Sequence, residues 1–281
     1  MTKARPVFRF PAPIAVAVLA LHLGVAHGEN ASCEAGPRSA ANLNARSVDH
    51  LAWSPFGRPE TGWAIYEPLV AKEISTTCAP QSPSFAARVA AWQFAHRVGA
   101  AGVVDVATLM RMKLIWQARR PFVAASRRAC PAVPEQSSLA RANAAESFGG
   151  KTIFLQPRAL ADYRRMIAAA RDELPRTSAD RGVLSIFSGY RSPAYDEARC
   201  AKQRNCQGVT RASCSAHRTG LALDIYLGAA PGYAPDSSAD ANRLFISRTL
   251  AYRWLARNAE RFGFANYPFE PWHWEWVRQA P

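Results

Sequence analysis

Three features are scarce in this chain of 281 residues, and each scarcity narrows what the protein can be. Lysine is the first: all but five of the 35 basic residues are arginine, and no Lys/Arg run or aromatic RNA-binding signature gathers them into a patch. Nucleic acid is therefore a poor candidate partner despite a net charge of +14, and dispersed, solvated arginine accounts for the charge equally well. The second is the Cys-x-x-Cys pair, whose absence argues against a cysteine zinc cluster. The third is any long apolar run. The best one, Ile14 to Val25, falls short of the ~20 residues that a spanning helix needs.

That short run has a different reading. It follows Lys3, Arg5 and Arg9 and precedes Ala26-His27-Gly28, the order of a secretory signal peptide over residues 1–28 with cleavage after Gly28. Its loss removes three positive charges and no acidic ones, leaving 14 − 3 = +11. No leucine stands three residues before Cys33, so a lipid anchor is not expected. The mature chain is expected to be exported, periplasmic or secreted, with no stable membrane span. All six cysteines fall in it, and an even number in an exported protein favours disulfides. Cys33 and Cys78 are expected to pin the first segment. Proximity suggests a bridge among Cys200, Cys206 and Cys214, with Cys200 to Cys206 one choice.

The patterning divides the mature chain into a mainly helical domain over 29–133, a linker over 134–150 and a second domain over 151–281. From Glu29 to Pro83 periodicity is poor and an irregular segment is expected. A helix capped by Ser84 then carries Phe85, Val89 and Trp92 on one face with His96 next, and a second helix over Val106–Gln117 is capped by Asp105. Residues 84–120 resemble a shortened peptidoglycan-binding module, through Trp92-Gln93, Gly102-Val-Val-Asp105, Thr108 and Trp116-Gln117. A plain helical hairpin packed on the second domain accounts for them as well.

In the second domain, helical periodicity spans Leu160–Leu174, and Val183–Phe187 reads as a buried strand ending in Ser188-Gly-Tyr-Arg-Ser192. Ser192-Pro193 opens a short helix. Leu221–Leu227 reads as a strand, Asn242–Phe262 as one helix stopped by Gly263, and Trp272–Val277 as an alternating strand with His273 opposite Trp272, Trp274 and Trp276.

Only four histidines survive removal of the leader, and both of those in the second domain have carboxylates at useful spacing. His217 and Asp224 would face opposite ways on one straight strand, so Thr219-Gly220 is expected to turn the chain and bring them together. Asp224 on an apolar strand would be costly if buried without a partner. With His273 these make a two-histidine, one-carboxylate zinc set with room for water. Glu270, three residues before His273, is the expected general base, taking a proton from the attacking water and passing one to the leaving amine. Glu275, on the same side of the strand as His273, is the rival. Arg191, at a strand end, is expected to stabilise an oxyanion or hold a substrate carboxylate.

Ser188-Gly-Tyr-Arg-Ser192, Ser215-x-His217-x-x-Gly220-x-Ala222-x-Asp224 and Glu270-x-Trp272-His273 resemble, in order and spacing, the zinc D-alanyl-D-alanine carboxypeptidases of the VanY and VanX family. The resemblance implies an α+β fold with helices packed on a small antiparallel sheet. It implies Zn2+ on His217, Asp224 and His273, Glu270 as base, Arg191 at the transition state, and Ser215 and Tyr190 near the substrate. Many members carry glutamine soon after the arginine, where Asp196 and Glu197 stand here. The expected activity is hydrolysis of peptidoglycan stem peptides by removal of a terminal D-alanine. A peptidoglycan endopeptidase with the same zinc site and a non-catalytic wall-binding protein with a structural metal are the rivals.

Overall fold

The computed structural model describes Met1 and residues 33–126, 129–175, 182–204, 206 and 214–277. The expected leader, apart from Met1, lies outside them. Cys33–Pro281 forms one compact unit, and its main hydrophobic core runs from Trp53 and Trp63 through Tyr163 to Trp274 and Trp276.

The first half holds α1 (Arg38–His50), β1 (Ala52–Trp53), β2 (Glu60–Thr61), α2 (Glu67–Glu73), α3 (Pro83–Ala95), α4 (Val106–Ala118) and α5 (Pro121–Ala125). Its beginning is therefore not irregular. Helix α1 buries only Ala40, Ala41 and Asn44, small or polar residues that give no apolar stripe to read, and it packs on α3. The cap of α3 is Ser82 rather than Ser84: the Ser82 side chain accepts from Phe85 N at 3.2 Å, and Pro83 takes the first turn, where a missing N–H costs nothing. Asp105 caps α4 by accepting from Thr108 N at 2.8 Å.

The residues that resemble a wall-binding motif serve the fold itself. Buried Gln93 donates to Val103 O and to Thr108 Oγ1 and accepts from Gly102 N, each at 2.8 Å, while Asn44 of α1 accepts from Val104 N at 2.7 Å. Gly102 sits at φ +73°, and a Cβ there would lie 2.7 Å from Ala86 O, so the close crossing of this turn over α3 requires glycine.

The expected linker instead contains three 310 turns and β3 (Ala140–Arg141), which pairs with β4 (Phe154–Leu155), and one core spans the segments on either side. Then come α6 (Pro157–Glu173), β5 (Ile186–Ser188), α7 (Pro193–Gln203), β6 (Ala222–Ile225), α8 (Asp240–Arg248), α9 (Leu250–Asn258), β7 (Phe264–Tyr267) and β8 (Glu270–Trp276). The single helix expected over Asn242–Phe262 breaks at Thr249, which is extended and whose side chain caps α9 by accepting from Tyr252 N. β5 begins later than expected, because Leu184 takes a left-handed φ of +74°. The architecture is α+β, as expected.

β5, β6, β8 and β7 form an antiparallel sheet in that order. β8 is buried on both faces. Its tryptophans pack against helices: Trp276 Nε1 donates to Asp162 Oδ2 of α6 at 2.9 Å, and the Trp274 ring lies 6.3 Å from Tyr252 of α9. The opposite face of β8 presents His273 and Glu275.

Three disulfides tie the chain: Cys33–Cys78, Cys130–Cys214 and Cys200–Cys206. The third is one of the choices proximity suggested, and the first joins the two cysteines expected to pin the first segment. The second links residues 84 positions apart and fastens the end of the first half to the turn that carries His217.

Candidate metal centre

Register across the sheet builds the site. Asp224 is paired with Ser188 on one side and with His273 on the other, so a row of side chains crosses from β5 to β8. His217 comes from the 310 turn Ala216–Thr219, where Ser215 caps by accepting from His217 N at 3.2 Å. Gly220 closes that turn at φ +67°, and a Cβ there would lie 2.9 Å from Leu139 Cδ2. This is the turn that joins His217 to Asp224.

The donor atoms of His217, Asp224 and His273 all lie within 4.8 Å of one another, and all three residues are buried. His217 Nε2 is 3.2 Å from Asp224 Oδ1 and 3.2 Å from His273 Nδ1, and His273 Nδ1 is 2.9 Å from Asp224 Oδ1. Burial lowers the pKa of His217 to about 4, with Arg191 acting in the same direction, so the imidazole is neutral near pH 7. Its Nδ1 lies 2.7 Å from Gly189 O and carries the proton. Nε2 is then a lone pair facing a carboxylate oxygen. Two acceptors buried face to face suit a cation between them, and two imidazoles with one carboxylate are a donor set that zinc favours.

A cleft of about 660 Å³ opens over these residues, and Glu270, Arg191, Ser215 and Trp272 line it. Burial raises the pKa of Glu270, with the neighbouring His273 charge acting against the shift. Arg191 Nη2 donates to Ser215 Oγ at 3.4 Å, and its Nε is 3.6 Å from Asp196 Oδ1. Tyr190 is set differently: half-buried, it donates its backbone N–H to Phe154 O at 2.7 Å and is not among the residues lining the cleft.

Glu275, the rival base, is otherwise engaged. Its Oε1 accepts from Arg120 Nε at 2.8 Å, its Oε2 accepts from Phe122 N at 3.1 Å, and its Oε1 stands 3.4 Å from His273 Nε2. Sequence reasoning missed Arg120, and missed that Gln117, Phe122, Val123 and Ser126 build a wall of the cleft. No local signal marks them, because they reach the site only through tertiary packing.

Comparison with curated proteins finds none that matches. Among solved structures, the chain is similar to the LdcB LD-carboxypeptidase, described by its structure's authors in terms of the molecular basis of peptidoglycan recognition. Identity is 23%, the alignment covers 51% of this chain and 70% of that one, and the TM-score is 0.37. It is the stretch 152–279, carrying His217, Asp224, His273 and Glu270 alike, that matches a known family: VanY, D-alanyl-D-alanine carboxypeptidase.

Proposed function

We propose that this chain is an exported zinc peptidase that removes the terminal D-alanine from peptidoglycan stem peptides. One observation carries the reading: a buried His-Asp-His cluster opens into the same cleft as Glu270 and Arg191, within the stretch that matches the carboxypeptidase family. Export is read from the leader-like N-terminus and the three disulfides, which persist in oxidising compartments.

A zinc ion held by His217, Asp224 and His273 would supply Lewis acidity, lowering the pKa of water and polarising the scissile carbonyl. Glu270, made more basic by burial, takes a proton from the attacking water as the C–O bond forms. It returns that proton to the leaving nitrogen as the C–N bond breaks, so the products are a shortened peptide carboxylate and free D-alanine. Arg191 brings a fixed positive charge to the negative oxygen that develops on the carbonyl, or to the terminal carboxylate of the peptide. Ser215 holds it there through Oγ while capping the turn of His217.

The test is a paired assay of the purified protein and its Glu270→Ala variant, reading zinc content and D-alanine release from a pentapeptide ending in D-Ala-D-Ala. Release by the wild type, with a zinc-replete but inactive variant, is the expected result. Zinc in both proteins with release from neither would discard this substrate, and shortened cross-linked muropeptides from the same enzyme would then identify an endopeptidase.

A further inference from the structure

His273 is backed by Glu275, which is held in turn by residues that lie outside the family-matched stretch. Arg120, which precedes α5, is 7% exposed, and its guanidinium lies 3.8 Å from the centroid of the Tyr267 ring. It donates from Nε to Glu275 Oε1 at 2.8 Å, from Nη2 to the same oxygen, and from Nη1 to Gln117 Oε1 at 2.7 Å. Glu275, 1% exposed, takes a third bond from Phe122 N. Its Oε1 is 3.4 Å from His273 Nε2, close by but without the alignment of a full hydrogen bond. The other ring nitrogen of His273, Nδ1, faces Asp224 and His217.

A carboxylate behind a ligating histidine fixes the ring and makes its free nitrogen a better donor to a metal. A carboxylate buried this deeply is tenable only with a counter-charge and several hydrogen bonds. Arg120 and the Phe122 amide supply them, and both come from 29–133, not from 152–279. The position over the Tyr267 ring and the bond to Gln117 hold the guanidinium in place, which sets where Glu275 can stand.

We infer that Arg120 is a positioning residue of the metal centre, acting through Glu275 on His273. The first half of the chain is then a working part of the site rather than a detachable module. The inference rests on the reading of His217, Asp224 and His273 as ligands.

The experiment is a double-mutant cycle on the full mature chain: wild type, Arg120→Met, Glu275→Gln and the double variant, with Asp224→Ala as reference. The readouts are the zinc dissociation constant by competition with a chromophoric chelator and the visible d–d bands after cobalt(II) substitution. Each single variant is expected to raise the zinc constant about 10–100-fold and to shift the cobalt bands. The double variant is expected to be no worse than the weaker-binding single, because Arg120 acts only through Glu275. Should Arg120→Met fail to fold, Arg120→Lys, which keeps the charge but loses the two-pronged grip on Glu275, decides instead: a raised zinc constant supports the inference and an unchanged one overturns it. Unchanged affinity and spectrum in Arg120→Met, or losses that multiply in the double variant, would overturn it while the ligand assignment stands. Wild-type zinc binding no tighter than that of Asp224→Ala would overturn the ligand assignment and this inference together.

Discussion

Asp224 and His273 are direct cross-strand partners on β6 and β8, with His273 Nδ1 2.9 Å from Asp224 Oδ1. Partners in an antiparallel pair put their side chains on the same face, so sheet register holds two of the three candidate ligands together. A slip of one residue would send one of them to the opposite face.

Asp224→Asn keeps the shape and removes the charge. Its zinc affinity should fall by more than the roughly 10–100-fold typical of an outer partner, with the far-ultraviolet circular dichroism unchanged. Chelator competition on the purified variant checks this, and wild-type affinity would count against the ligand set.

Asp196 gives a pH-dependent prediction. It is 1% exposed and neither carboxylate oxygen has a hydrogen-bond partner among the described residues, although Arg191 and Arg218 face it. Burial raises its pKa from 3.8 to about 6, against the pull of both arginines. The folded state thus holds the proton more tightly than the unfolded one. The resulting stability is fully present below the unfolded pKa, declines as pH rises through the folded value and is lost above it. Asp196→Asn should therefore gain in melting temperature relative to wild type between about pH 4 and about pH 6, with a constant difference beyond. Parallel thermal melts across that range test it, and a difference independent of pH would refute it.

Arg243 of α8 is fully buried and donates to Glu60 Oε1 at 2.9 Å, to the Tyr66 hydroxyl at 2.6 Å and to Phe269 O at 2.8 Å. Arg243→Met strips buried Glu60 of its closest counter-charge and should destabilise the protein by about 3–5 kcal/mol in urea unfolding. The further change Glu60→Gln should recover a substantial part of that loss, since it removes the stranded charge. No recovery would mean that the arginine acts mainly through the Phe269 carbonyl next to Glu270.

A Cβ on Gly189 would lie 2.6 Å from Phe154 O and 2.8 Å from Ile153 Cγ2, so β4 and the end of β5 must separate to admit one. Gly189→Ala should cost about 1–3 kcal/mol, the range for overpacking. It should also weaken zinc binding, because Gly189 O is the acceptor that fixes the tautomer of His217. Thermal melts and zinc titration of the one variant read both effects, and full retention of both would contradict the clash.

The sequence by itself determined the α+β class and the candidate ligands. His217, Asp224, Glu270 and His273 are legible because each stands in a short motif whose residue types have few other uses in an apolar setting. The cap of Asp105 and the choice of Cys200–Cys206 are legible for a related reason: the partners are close in the chain. Only the tertiary structure decided the rest. Helix α1 was hidden because its buried face is Ala40, Ala41 and Asn44, which carry no hydrophobic period. The break at Thr249 was hidden because the apolar pattern continues across it. Arg120 was hidden among many dispersed arginines, since its meaning comes from a carboxylate 155 positions away that only the packing of α5 against β8 brings within reach. Local chemistry can be read along a chain, whereas a contact between distant, common residues is set by how the whole core closes.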